Sequence, residues 1–165
     1  MRLSEAATRA WRGGRAWYAR HERWLWIGAL LVILVVRWPL VKGYYYKLAD
    51  VDAPPSTIAW RTDLDAALAE ARREGKRVVV DFTADWCPPC IAMKHDVWPD
   101  AEVARVVARG YVPVLIDTDR DGVTPERYQV RGIPTVLVLD DTGGVVRSGA
   151  PLTASGMVSF LEAAR

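Results

Sequence analysis

The 165-residue sequence predicts an α/β domain that follows a single transmembrane helix. Three observations support this fold class. Apolar, strand-like runs alternate with helix-like segments over residues 58–165; an uncharged apolar run lies near the N-terminus; and the two cysteines of the chain are spaced Cys-x-x-Cys directly after a strand-like run. Strands that alternate with helices are typical of sheets with parallel pairing.

Charge is divided unevenly along the chain. Residues 1–47 carry nine Lys/Arg and two Glu, a net charge of +7, whereas residues 48–165 carry thirteen Lys/Arg and eighteen Asp/Glu, a net charge of −5. A basic arm indicates contact with nucleic acid or with a membrane. The apolar run from Trp24 to Val36 follows the arm directly and favours the membrane, so no nucleic-acid partner is predicted.

The transmembrane helix is predicted over residues 24–43. A span takes about 20 residues, and Arg37 near its far end has a side chain long enough to reach the interface. Six arginines precede the run and three basic residues lie at or beyond its far end, which predicts a cytoplasmic N-terminus. A cleaved signal peptide and a buried core helix are the competing interpretations.

The predicted organisation has four parts, and the soluble part begins with a helix. Thr62 and Asp65 resemble a capping box that opens a helix over about 63–74, which Gly75 ends. The parts are a basic cytoplasmic segment at 1–23, the anchor at 24–43, a linker at 44–57 and the soluble domain at 58–165. Four strands are predicted at 78–82, 111–116, 135–139 and 145–148, with further helices from the cysteine pair, over about 100–109, from 124 and over about 154–164.

The predicted chemistry lies in Cys87-Pro88-Pro89-Cys90. A sulfur at a helix N-terminus lies near unpaired N–H groups and the positive end of the dipole, which favours the nucleophilic thiolate. A second sulfur one turn further on is close enough to attack a mixed disulfide. Cys87 is therefore predicted to attack and Cys90 to resolve.

The two prolines affect the thiolate, because neither has an N–H group. The donors that remain near the Cys87 sulfur are expected to be the N–H groups of Cys90 and Ile91, which predicts a weakly stabilised thiolate and hence a reductant. The alternatives are half of a zinc site, which would need four ligands, and an inert structural disulfide. No metal and no cofactor are predicted.

Two segments resemble the thioredoxin superfamily. Val80-Asp81-Phe82-Thr83-Ala84-Asp85-Trp86-Cys87-Pro88-Pro89-Cys90 is similar to its active-site signature, and Gly132-Ile133-Pro134-Thr135 is similar to its cis-proline loop. The resemblance covers about residues 58–165 and implies a thioredoxin fold, with a central mixed sheet flanked by helices. It also implies catalytic roles for Cys87, Cys90, Asp81 and Pro134, with Asp81 as the buried acid that assists proton transfer, and substrate contacts for Trp86, Ile133 and Gly149.

Within the superfamily, the stretch from Leu64 to Val78 and the segment from Trp98 to Val114 resemble the periplasmic C-terminal domain of DsbD and its relatives. His95 stands where thioredoxins have a helix-kinking proline, and Pro113 where they have a lysine near the buried acid. Together with the single predicted span and its Lys/Arg bias, the resemblance implies a single-pass protein of the bacterial inner membrane with a periplasmic catalytic domain. DsbD has a large multi-span electron conduit, whereas one span is predicted here. Its partners would be protein disulfides and a separate DsbD-like or CcdA-like membrane electron donor.

Three functions remain open from the sequence. The first is a protein-disulfide reductase, which is the favoured hypothesis. The second is a disulfide oxidase or isomerase, which the same fold allows. The third is a binding module that uses the groove near Pro134 without turnover.

Overall fold

The computed structural model describes residues 21–165, and the chain forms two compact units, Met1–Trp38 and Pro39–Arg165. Residues 1–20 of the predicted cytoplasmic segment lie outside the described residues. The described part of the first unit is helix α1, His21–Val36, whose tryptophan, leucine, isoleucine and valine side chains are exposed.

The helix predicted over 24–43 is divided in two. A second helix, α2, covers Trp38–Leu48, so the predicted linker at 44–57 begins as helix. Pro39 explains the interruption, because proline lacks the N–H that would continue the helical ladder and disfavours helical geometry in the residue before it. Among residues 21–165, neither helix is by itself long and apolar enough to cross a membrane; α1 and α2 meet the length and composition criteria only together, as a bent pair.

The second unit contains the predicted alternation of strands and helices. Strand β1 lies at the centre of a four-stranded sheet of order β2-β1-β3-β4, parallel to β2 and antiparallel to β3, and β3 pairs antiparallel with β4. After α2 the elements are α3 Leu64–Glu74, β1 Arg77–Thr83, α4 Pro88–Asp96, α5 Ala101–Gly110, β2 Tyr111–Asp117, α6 Val123–Arg127, β3 Thr135–Leu139, β4 Val145–Gly149 and α7 Ala154–Glu162.

Local sequence explains most helix ends. Asp100 caps α5, the helix predicted over about 100–109, because its carboxylate accepts from the N–H groups of the first turn. Gly75 ends α3 in the left-handed conformation, φ 63°, which glycine adopts at no steric cost. The predicted capping box of α3 is wrong: the cap is Asp63, whose Oδ1 accepts from the Ala66 N–H at 2.9 Å.

Side chains alternate across the sheet, and this alternation divides the core into two layers. On one face Val79 packs with residues of α4, α5 and α7. On the other face Val78, Val80 and Phe82 pack with α3. The same alternation in β1 places Asp81 on the Val79 face, towards α4, so the strand that leads to the cysteine pair also carries the buried acid.

Candidate redox site

The cysteine pair lies at the start of α4 and forms a disulfide, with an S–S distance of 2.12 Å and Cα atoms 5.3 Å apart. Cys87 is the N-cap, and Pro88 and Pro89 occupy the first turn, where a missing N–H costs little. Both cysteines are buried, with 2% and 4% of their surface exposed. Strand β1 ends at Thr83, so the redox pair is attached to the central strand through a short loop.

One backbone donor reaches the Cys87 sulfur. The Cys90 N–H donates to it at 3.3 Å. The expectation that the Ile91 N–H also faces the sulfur is wrong, because it donates to the Cys87 carbonyl at 3.0 Å. Because the Ile91 N–H is used in the helix, the sulfur has one backbone donor among residues 21–165, where the sequence predicts two.

A cis peptide bond joins Ile133 to Pro134, as the sequence resemblance implies. The Ile133 side chain packs against a small buried cluster of Ala84, Cys87 and Cys90. The loop that ends at β3 therefore lies next to the redox pair, although it is more than 40 residues away in sequence. The structure brings together Cys87, Cys90 and Ile133 in one contact cluster.

Asp81 is the buried acid of the site, with 4% of its surface exposed. Its Oδ2 accepts a hydrogen bond from the Trp98 indole at 2.8 Å, and within the described part of the chain its Oδ1 has no hydrogen-bond partner. Burial raises the pKa of the Asp81 carboxyl from 3.8 to about 7, and the Trp98 hydrogen bond opposes that rise. A carboxyl with a pKa near neutrality can both accept and release a proton at physiological pH.

A cavity of about 740 Å³ gives this acid a route to solvent. Asp81, Trp60 and Trp98 line it, and the exposed side chains of Lys94 and Arg120 line it too, so it extends from the buried carboxyl to the surface. Trp60 and Trp98 meet edge to face, with ring centroids 4.9 Å apart.

Trp86 and Gly149, two of the predicted substrate-contact residues, lie outside the contact cluster of the cysteine pair. Trp86 is 57% exposed, and its indole N–H donates to both carboxylate oxygens of Asp119, at 3.1 and 3.0 Å. Gly149 ends β4, where a Cβ would lie 2.8 Å from Phe160 Cε2. A packing requirement against α7 thus accounts for glycine at position 149.

Sequence reasoning missed three partners of the site. Trp98 and Asp119 lie 17 and 33 residues from the groups they contact, and no local pattern predicts such pairs. The third is α2, since His95 of α4 stacks on the Tyr46 ring with centroids 4.0 Å apart. Residues 21–165 contain no group of three or more His, Cys, Asp or Glu side chains placed to hold a metal ion.

The geometry defines a class of protein. A dithiol pair at the N-terminus of a helix, reached from the central strand of a mixed sheet and packed beside a cis-proline loop, is the arrangement of a thioredoxin-fold thiol:disulfide oxidoreductase. The family model described as "Thioredoxin-like" matches residues 59–141. The chain belongs to this thioredoxin-like family.

Named relatives agree with this assignment. Over 90 residues, the chain is 34% identical to a thioredoxin of Pseudomonas aeruginosa, covering 52% of this chain and 77% of that one. Over 104 residues, it is 28% identical to the thiol:disulfide interchange protein DsbD of Pseudoalteromonas atlantica, covering 61% of this chain. The chain spans only 17% of the length of that DsbD.

A solved structure supports the DsbD resemblance. The oxidised C-terminal domain of DsbD from Neisseria meningitidis matches with a TM-score of 0.56 and 27% sequence identity, covering 65% of this chain and 100% of that domain. The similarity to thioredoxins and to the C-terminal domain of DsbD therefore appears both in sequence and in structure.

Proposed function

We propose that this protein is a membrane-anchored reductase of protein disulfides that acts outside the cytoplasmic membrane. Its active residues would be Cys87 as nucleophile, Cys90 as resolving thiol and Asp81 as proton carrier. Trp86, Ile133, Pro134 and Gly149 would form the rim against which the substrate lies. The observation that carries the proposal is the buried Cys87–Cys90 disulfide at the start of α4, in contact with Ile133 of the cis-proline loop.

The reaction begins with the reduced pair. The Cys87 thiolate attacks one sulfur of the substrate disulfide, forming a mixed disulfide and releasing the other substrate sulfur as a thiolate that takes up a proton. The Cys90 thiol gives its proton to Asp81, and its thiolate attacks Cys87 Sγ. The substrate's second thiol leaves, Cys87–Cys90 becomes a disulfide, and two electrons have passed to the substrate.

The next cycle needs a dithiol electron donor, because the Cys87–Cys90 disulfide must be reduced again. We propose a membrane protein in this role, in line with the similarity to the C-terminal part of DsbD. Membrane attachment would come from the apolar N-terminal segment, whose side chains in α1 are exposed. The excess of Lys/Arg before that segment favours a cytoplasmic N-terminus.

The reductive direction is supported by the surroundings of the Cys87 sulfur. Thiolates at helix N-termini are stabilised by backbone N–H groups and the helix dipole, and among residues 21–165 the Cys90 N–H is the one donor to the Cys87 sulfur. A weakly stabilised thiolate makes the reduced form a better donor of electrons, because a stabilised reduced form is what makes a strong oxidant.

The test is the reduction potential of Cys87–Cys90, measured on the full chain in detergent by equilibration with a dithiol buffer. A potential near or below that of thioredoxin, about −270 mV, is the expected result. A potential near that of DsbA, about −120 mV, would make the protein an oxidant and refute the proposed direction. Retention of substrate binding without any exchange would indicate a binding module.

A further inference from the structure

We propose that α2 is a specificity element of the redox site. Docked beside Pro88, it closes the α4 side of the cysteine pair and leaves the rim of Trp86 and the Ile133–Pro134 loop as the route of entry. The site would then accept a disulfide in a flexible, extended segment and discriminate against one held in the surface of a folded domain. The inference rests on the proposed function, because it concerns which disulfides react.

The closest contact of α2 is at Gly43. This glycine is buried, and a Cβ at this position would overlap the Pro88 carbonyl and lie 2.8 Å from Pro88 Cα. Only a residue without a side chain allows the helix backbone to approach this closely. Pro88 is the residue next to Cys87, so α2 contacts the backbone of the redox motif itself.

Three further contacts hold the same face of α2 on α4. The Tyr46 ring stacks on His95, with an interplanar angle of 9°. The Tyr46 hydroxyl donates to Asp96 Oδ1 at 3.0 Å, and Lys42 Nζ donates to Asp96 Oδ2 at 2.7 Å. Residues 42, 43 and 46 share one helix face, and their partners extend from the first turn of α4 to its last residue.

The exposure of the site residues agrees with one-sided access. Cys87 is only 2% exposed, so a substrate sulfur must pass below the protein surface to contact it. Trp86, the residue before Cys87, is in contrast 57% exposed. The loop of residues 132–135 lines an open cleft of about 480 Å³. Ile133 of this loop contacts the cysteine pair, so under the proposal a flexible segment reaches the sulfur along the loop, whereas a rigid domain that covers the whole site would collide with α2.

The experiment compares two disulfide probes on the reduced full chain in detergent. Glutathione disulfide is the small, flexible probe and insulin the folded one. Gly43→Leu displaces α2 because its side chain has no space beside Pro88. Gly122→Leu is the matched control, since a Cβ at Gly122 meets no atom within 4 Å. We expect Gly43→Leu to raise the rate with insulin several-fold and to leave the rate with glutathione disulfide unchanged, and Gly122→Leu to change neither.

Trypsin provides an independent measure of docking, because release of α2 exposes the bond after Lys42. A double variant, His95→Ala with Asp96→Ala, removes the α4 side chains that hold α2. It should also raise the rate with insulin and leave the rate with glutathione disulfide unchanged. If released α2 leaves the ratio of the two rates unchanged, or if neither variant speeds cleavage, the inference is refuted. If the unmodified chain reacts with neither glutathione disulfide nor insulin, the proposed function fails instead.

Discussion

The buried carboxyl of Asp81 predicts a stability that falls as pH rises. Folding raises its pKa from 3.8 to about 7, so between these values the folded protein binds a proton that the unfolded chain has lost. Stability from this group is fully present below about pH 4 and is lost as the pH rises through 7. The pKa difference, about 3 units, corresponds to about 4 kcal/mol in total, at 1.36 kcal/mol per unit.

Asp81→Asn removes this titration and tests the reasoning directly. More than half of the loss is expected between about pH 5 and pH 8, and it should appear in urea unfolding of the oxidised full chain in detergent. The wild type should lose between about 2 and 3 kcal/mol more than Asp81→Asn over that interval. Equal losses in the two proteins would refute the assignment of a raised pKa to Asp81.

Two further variants test the sign of the pH dependence of stability. Trp98→Phe removes the hydrogen bond that opposes the rise, so the pKa of Asp81 should increase by about one unit or more, since a bond to a charged group contributes about 1.5–3 kcal/mol. Asp121→Asn should remove a pH dependence of stability that has the opposite sign. Hydrogen bonds from Thr124 lower the pKa of Asp121, so this carboxylate contributes stability above its unfolded pKa that is lost as the pH falls.

The other predictions concern the redox pair and the packing around it. Cys90→Ser should accumulate a mixed disulfide between Cys87 and a protein substrate, visible as a higher-mass band on non-reducing gels; release at the wild-type rate would contradict the resolving role. Gly149→Ala should lower the free energy of unfolding by about 1–3 kcal/mol, because the new methyl group meets Phe160. An unchanged urea midpoint would contradict this prediction and would show that α7 moves to accommodate the methyl group. Asp100→Ala should cost about 1 kcal/mol with no change in reduction potential.

Sequence patterns predicted what is local. The strand before the cysteines is a continuous apolar run, and Asp100 and Gly75 mark helix ends, so β1, the start of α5 and the end of α3 lie close to their expected positions. The Thr62 cap was wrong by one residue because Asp63 is an equally good cap chemically, and only the backbone conformation selects between them. The cis peptide bond before Pro134 was predicted from the family resemblance and not from the local sequence pattern.

Contacts made by tertiary packing could not be predicted from the sequence. Nothing around Trp98 indicates that its indole reaches Asp81, because the pairing follows from how β1 and α4 pack. The predicted anchor at 24–43 included Lys42 and Gly43, whereas the structure packs both against α4. Hydropathy records the apolar character of a segment and does not distinguish lipid from another helix as its neighbour.

The central position of β1 has a consequence for amide hydrogen exchange. Strand β1 is paired along its length with β2 on one side, and from Val78 to Phe82 with β3 on the other. Amides in such a strand exchange only when most of the domain opens. Exchange from Val78 to Phe82 should thus be slow in both redox states, and its rate should report the free energy of global unfolding of the oxidised and of the reduced protein. A redox-dependent change in local opening, as distinct from global unfolding, should appear after Thr83, where β1 ends and the loop to the cysteine pair begins.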